Sequence, residues 1–194
     1  MKKGLIMLQE IKSKYGMSVL TDIHEACQAG AAGEIADVIQ IPAFLCRQTD
    51  LLTAAARTGK IVNIKKAQFL SGQDMRYPVE KVKESGGQSI WLTERGNIYG
   101  YNNLIVDFRN ISDMKYFTPT VIMDCTHSVQ RPGAAGDKTG GNREFVPAMA
   151  LAAKAFGATG YFFEVHPDPE KAPSDGPNML PLNKLEAVIG SLLG

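Results

Sequence analysis

Six short apolar stretches of this chain each end in charged or hydrogen-bonding groups. SVLTDIHE closes on Asp22, His24 and Glu25, and DVIQIPAFLCRQTD runs through Ala43 and Phe44 into Arg47. KIVNIKKAQF puts Lys65, Lys66 and Gln68 at its end, and SIWLTERG finishes in Glu94 and Arg95. TVIMDCTHS ends in Asp124, Cys125 and His127, and TGYFFEVHPD in Glu164 and His166. A lysine at a dry strand end and the planar two-pronged arginine both suit phosphate or carboxylate. His127, Glu164 and Asp175 offer one imidazole and two carboxylates. Such a set can ligate a divalent metal with open positions, or position an attacking water. Each feature also has a plain structural alternative. The lysines can be a solvated strand end, Arg95 can pair with Glu94, and His127 can be a satisfied structural histidine. His24 and His166, beside turn or capping residues, suit that alternative better. Asp22 and Glu25 can equally be helix-end electrostatics.

These groups converge only if their stretches are parallel strands, whose C-terminal ends then share one face. The pattern predicts strands over 17–23, 36–41, 60–65, 89–93, 120–125 and 159–164. It predicts helices over 3–15, 24–33, 48–57, 73–85, 143–156 and 180–193, with a weaker one over 111–116. Residues 104–108 read as a strand or a helix start. Loops are expected over 94–103, over 128–141 with its GAAGDKTGG run, and over the proline-rich 166–178. The strands are nearly all apolar, as in a parallel sheet covered on both faces. Adjacent strand residues point to opposite faces, so one of Lys65 and Lys66 is expected at the mouth and the other at the helix layer or rim. Loops after the strands are long and polar and those before them short, which favours a TIM barrel over a doubly wound sheet. No GxGxxG follows a strand and no P-loop occurs, so no nucleotide cofactor is expected. A complete barrel needs roughly 250 residues. The expectation is an α/β chain of the TIM (β/α)8 type with about six β/α units. That makes an incomplete barrel, one domain over 1–194 forming its C-terminal portion.

Composition narrows the partners. Lysine and arginine number 21 against 20 aspartates and glutamates, a net charge of +1, and the two signs are interleaved. A clustered basic face for nucleic acid is not expected. No apolar run approaches the roughly 18 residues of a membrane span, and the N-terminus lacks the features of a signal peptide. Cys27, Cys46 and Cys125 form no CxxC, and read as free, buried thiols of a cytoplasmic protein. Phe145, Met149 and Phe156, at helical positions, are expected in the core.

Several strings together resemble one family. TDIHE, DVIQIPAFLCRQTDLL, VNIKKAQF, TERG with GYNNLIVDFR, DCTHSVQ, GG-x-RE and FFEVHPDPEKAPSDGPNMLPL occur in this order over essentially the whole chain. They resemble the 3-deoxy-D-manno-octulosonate 8-phosphate synthases, also called 2-dehydro-3-deoxyphosphooctonate aldolases. The resemblance implies a TIM barrel, usually a homotetramer. The implied reaction condenses phosphoenolpyruvate with arabinose 5-phosphate and water, for lipopolysaccharide biosynthesis. By position, Lys65 and Arg95 look like phosphoenolpyruvate clamps, assisted by Gln68 and the Ala43 backbone. Arg47, next to Phe44, looks like a phosphate contact between the two substrates, and Asp22 lies near the sugar. His127, Glu164 and Asp175 resemble the metal or water site, with Asp175 also near the sugar hydroxyls. His127, Lys65 and Asp175 form the implied catalytic set. One subclass of the family uses a divalent metal.

The family is longer by roughly two barrel units. Its first strand carries a Gly-Pro-type segment whose Cys or Asn decides the subclass, and a Lys-Ala-Asn-Arg-Ser segment follows the second. Neither occurs in this chain. Ala67 replaces a Gly or Pro, and Ile98-Tyr99 stands where Ser-Phe is usual. The chain alone is therefore expected to show little or no synthase activity. The readings to be separated are the synthase, an inactive fragment of one, and another phosphoenolpyruvate-dependent aldolase on the same barrel.

Overall fold

Six parallel-sheet strands follow one another along the chain: β1 (Leu20–Asp22), β2 (Val38–Ile41), β3 (Ile61–Lys65), β4 (Ile90–Glu94), β5 (Thr120–Asp124) and β6 (Gly160–Phe162). The helices are α1 (Lys2–Tyr15), α2 (Ala29–Ile35), α3 (Thr49–Ala56), α4 (Arg76–Glu84), α5 (Arg109–Lys115), α6 (Val146–Ala155) and α7 (Leu182–Leu193). This computed structural model describes residues 2–100, 103–135 and 138–194. The chain divides into two units, Met1–Ala67 with Asp74–Leu92, and Gln68–Gln73 with Thr93–Gly194. Every strand and helix expected from the apolar pattern is present, most of them shorter at one or both ends. The architecture is α/β, as expected.

In the first unit β1, β2 and β3 pair in parallel. All four residues of β2 and the last four of β3 are buried, which accounts for their mostly apolar sequence without in–out alternation. Register puts Asp22 beside Gln40 and Gln40 beside Asn63. Gln40 and Asn63 are buried, and the Asn63 amide donates to Gln40 Oε1 at 3.0 Å, so this polar row in an apolar sheet is satisfied internally. Lys12 ties α1 down. Its Nζ donates to Asp37 Oδ1 at 2.7 Å and to the Ile35 carbonyl at 3.0 Å, while Asp37 Oδ2 accepts the Val19 N–H at 2.9 Å.

In the second unit β5 and β6 pair in parallel, with Phe162 beside Asp124. The expected loops carry more structure than their glycine and proline content suggested. Asn97–Ile98 pairs antiparallel with Leu104–Ile105. Gln130–Ala135 pairs antiparallel with Lys138–Gly141. Val165–His166 pairs in parallel with Leu180–Pro181. Glycine weakens a strand but leaves its N–H and C=O free to pair, so a glycine-rich stretch is not by itself a loop. Tyr101 and Asn102 of GNIYGYNN, and Gly136 and Asp137 of GAAGDKTGG, lie outside the described residues. Two core expectations are corrected. Phe145 and Phe156 are exposed, because α6 buries the smaller Val146, Ala150 and Ala153 instead. Cys27 is exposed, whereas Cys46 and Cys125 are buried.

Bonds from Lys12 and from the Val19 N–H hold the Asp37 carboxyl below the usual carboxylate range. A group whose folded pKa is depressed adds stability above its unfolded value near 3.8, and loses it as pH falls through the folded value. Asp37→Asn is expected to melt below the parent at neutral pH, with the gap closing in acid. Melting curves across that range check the sign.

Candidate active site

The second unit builds its polar cluster on buried acids at two strand ends. Glu94 ends β4 with no exposure, and its Oε1 accepts the N–H groups of Arg95 at 2.8 Å and Gly96 at 2.6 Å. The chain bends there at φ +94° for Gly96, a conformation that glycine adopts without strain. The bond to Glu94 therefore runs from the Arg95 backbone, and the guanidinium does other work. It is 5% exposed, and NH2 donates to Gln130 Oε1 at 2.7 Å. Arg95 Nε and NH1 have no hydrogen-bond acceptor among the described residues. Burial pulls the guanidinium below the usual arginine pKa, while the carboxylates of Asp124, Glu94 and Asp175 oppose that shift. A buried cation with unused donors is the signature of an anion site.

Asp124 ends β5, also with no exposure. Its Oδ1 accepts the His127 N–H at 2.8 Å, and its Oδ2 lies 2.8 Å from His127 Nδ1. That contact puts a ring proton on Nδ1, because a carboxylate only accepts, and turns Nε2 toward the acids beyond it. Nε2 points at Glu164 Oε1, 3.3 Å away. Glu164 follows β6, where its N–H donates to Thr126 Oγ1 at 2.8 Å. Asp175 sits at φ +53°, the one described non-glycine residue in the left-handed region. Its carbonyl accepts the N–H groups of Asn178 at 2.8 Å and Met179 at 3.1 Å, which closes the turn. Its Oδ1 accepts the Gln130 amide at 2.8 Å.

The structure thus brings His127, Glu164 and Asp175 together. One ligand atom from each lies within 4.8 Å of the others, close to twice a metal–ligand bond of about 2.1 Å. The three donors fit a divalent cation with positions left open.

A buried amide packs into the Asp175 turn. Asn178 has no exposure, and its carboxamide lies against Gly141 so closely that a Cβ there would fall 1.3 Å from Oδ1. Arg143 then fastens the proline-rich segment, with NH2 on Glu170 at 2.6 Å and Nε on the Pro177 carbonyl at 3.3 Å. This gives the GG-x-RE string its purpose.

The other expected residues lie as follows. Gln68 in the second unit is 5% exposed, with Oε1 unpartnered among the described residues. In the first unit Lys65 and Lys66 are both buried, and Lys66 Nζ donates to the Ala67 carbonyl at 3.3 Å. Neither lysine reaches a solvated rim. Ala43 is buried, while Phe44 and Arg47 are exposed. Asp22 is exposed, 3.9 Å from the His24 imidazole. His166 caps a turn, its Nδ1 accepting the Asp168 N–H at 3.0 Å. Sequence reasoning passed over Asp124 as the partner of His127 and over Gln130 altogether. The Asp-x-x-His spacing at a strand end was the available signal for the first.

The DAHP synthetase I family matches residues 1–191. The chain belongs to that family. Relatives named 2-dehydro-3-deoxyphosphooctonate aldolase align along its length. That of Cyanothece sp. is 54% identical over 193 residues, covering 100% of this chain and 71% of the relative. That of Brucella abortus is 51% identical over 193 residues, covering 100% and 70%. That of Nitratidesulfovibrio vulgaris is 53% identical over 190 residues, covering 98% and 70%. The resemblance read from TDIHE, IPAFLCRQTD and SDGPNMLPL is borne out. No helix among the described residues is long and apolar enough to cross a membrane.

Because the Asn178 carboxamide occupies the space of a side chain at residue 141, Gly141→Ala is expected to lose about 1–3 kcal/mol. Melting should fall by several degrees. Gly4→Ala in α1, with nothing within 4 Å of the added carbon, should not lower it. Thermal unfolding of the two variants makes the comparison.

Proposed function

We propose that this chain carries the active-site residues of a 2-dehydro-3-deoxyphosphooctonate aldolase working in the synthetic direction, with low turnover expected of the chain alone. Phosphoenolpyruvate, arabinose 5-phosphate and water give 3-deoxy-D-manno-octulosonate 8-phosphate and inorganic phosphate, which serves lipopolysaccharide biosynthesis. The observation that carries this reading is Arg95, buried with two unused donors and linked through one amide to the His127, Glu164 and Asp175 cluster. The relatives so named align with the chain over its whole length.

Arg95 holds the phosphate or carboxylate of phosphoenolpyruvate. C3 of that substrate attacks the sugar aldehyde carbon, and the new C–C bond leaves positive charge at C2. Water adds at C2, and phosphate departs by C–O cleavage. The chain contributes fixed charges and positions, which stabilise the developing charges without reorganisation. Asp124 holds the His127 proton on Nδ1, so Nε2 faces the cluster as a base or a ligand. His127, Glu164 and Asp175 would hold a divalent cation, which when bound supplies Lewis acidity and a lowered pKa for coordinated water. Asp175 also faces the sugar hydroxyls. Lys65, Gln68 and the Ala43 backbone as phosphoenolpyruvate contacts, Arg47 and Phe44 as phosphate-end contacts, and Asp22 near the sugar complete the proposal. So do one domain over residues 1–194, the (β/α)8 type of barrel, a cytoplasmic location and a homo-oligomeric state, a tetramer.

Arg95→Ala removes up to two charge-assisted hydrogen bonds of about 1.5–3 kcal/mol each. It is expected to weaken phosphoenolpyruvate binding, read by calorimetry, by roughly two to four orders of magnitude. In a product assay arabinose 5-phosphate should be the accepted aldose. Preference for erythrose 4-phosphate would overturn the substrate assignment.

A further inference from the structure

Gln130 lies between the two halves of this site. Its Oε1 accepts from Arg95 NH2 at 2.7 Å, and its Nε2 donates to Asp175 Oδ1 at 2.8 Å. A guanidinium only donates and a carboxylate only accepts, so the amide can face them in one orientation. Among the described residues, Gln130 is the hydrogen-bond donor to the Asp175 side chain. It is also the acceptor that fixes the Arg95 fork and turns Nε and NH1 toward a ligand.

The residue type matters. A direct Arg95–Asp175 ion pair would satisfy both groups and leave neither available. A neutral amide between them orients both. It leaves the guanidinium cationic toward an anion and the carboxylate anionic toward a cation. The turn that places Gln130 is also the turn that places His127. Asp124 Oδ1 accepts the N–H of His127, the first residue of the 3-10 segment His127–Val129, and the Gln130 N–H closes that segment on the His127 carbonyl.

We infer that Gln130 is a positioning residue that couples the anion-holding Arg95 to the Asp175 arm of the cation cluster, so that filling either site tightens the other. The inference rests on the proposed reading of the two sites. An anion that draws Arg95 into a fixed position fixes the Gln130 carbonyl. The same amide then presents its N–H group to Asp175 in one geometry. Coupling of this kind is reciprocal, and in linked sites it typically runs to roughly 5–150-fold in affinity.

The test measures Co2+ affinity by competition with a chromophoric chelator, with and without phosphoenolpyruvate, and phosphoenolpyruvate affinity with and without Co2+. In the parent each ligand should tighten the other by the same factor. Gln130→Met keeps the length and removes both hydrogen bonds, so both ligands should still bind while the factor falls to within twofold of one. Gln130→Glu keeps the shape and the bond from Arg95 but turns a second carboxylate toward Asp175. It too should abolish the coupling, and it retains the test if the Met variant fails to fold. A parent that binds neither ligand overturns the functional reading. A parent that binds both, with the coupling factor absent or unchanged in the variants, overturns only the role of Gln130.

Discussion

The carboxylate of Asp124 is the constraint on which the site depends. A charge with no exposure at the end of an apolar strand is costly to bury unless hydrogen bonds satisfy it. Asp124 is satisfied by the chain that follows it, at the His127 N–H and at Nδ1. Those contacts fold the backbone into a turn and fix the imidazole's rotation and tautomer. The direction in which Gln130 leaves the turn follows, and with it the separation of Arg95 from Asp175. Removing one partner of such a buried pair leaves an unsatisfied group, at about 3–5 kcal/mol.

Glu94 uses the same device one strand earlier. Its buried oxygen accepts two successive backbone N–H groups and turns the chain so that Arg95 follows the strand directly. In both places the acid shapes the backbone, and the residue proposed to act on substrate or cation comes after it. Strand ends in a parallel sheet supply the setting, because backbone groups that leave the ladder need new partners. The Asp175 turn rests on a different support. There a buried asparagine on a glycine, together with an arginine clamp, holds an aspartate at a positive φ.

Much of this was legible in the sequence. Mostly apolar stretches of five to seven residues, bounded by Gly, Pro and charge, marked all six strands. Polar residues closing those runs marked where chemistry could lie. His127, Glu164 and Asp175 were identifiable by type and by resemblance, although they are 37 and 11 residues apart along the chain. The glycine-rich ribbon was read as loop because its strands, QRPGAA and KTGG, hold only one β-branched residue, Thr139, among glycines and a proline that usually mark loops. Gln130 stayed hidden because an uncharged amide in a string such as HSVQ has no local signature. Its importance comes from what stands at Arg95 and Asp175, residues 35 and 45 positions away. The exposure of Phe145 and Phe156 was equally illegible, since helical spacing says which residues share a face and not whether that face is covered.

The central claim is that Asp124 holds His127 so that its Nε2, with Glu164 and Asp175, makes one cation site. Anomalous diffraction from crystals grown with Co2+ tests it most directly. The account expects a single peak about 2.0–2.3 Å from His127 Nε2 and within bonding reach of both carboxylates, with Nδ1 still on Asp124. A peak coordinated elsewhere, or an imidazole turned away from Asp124 to reach the ion, would contradict it.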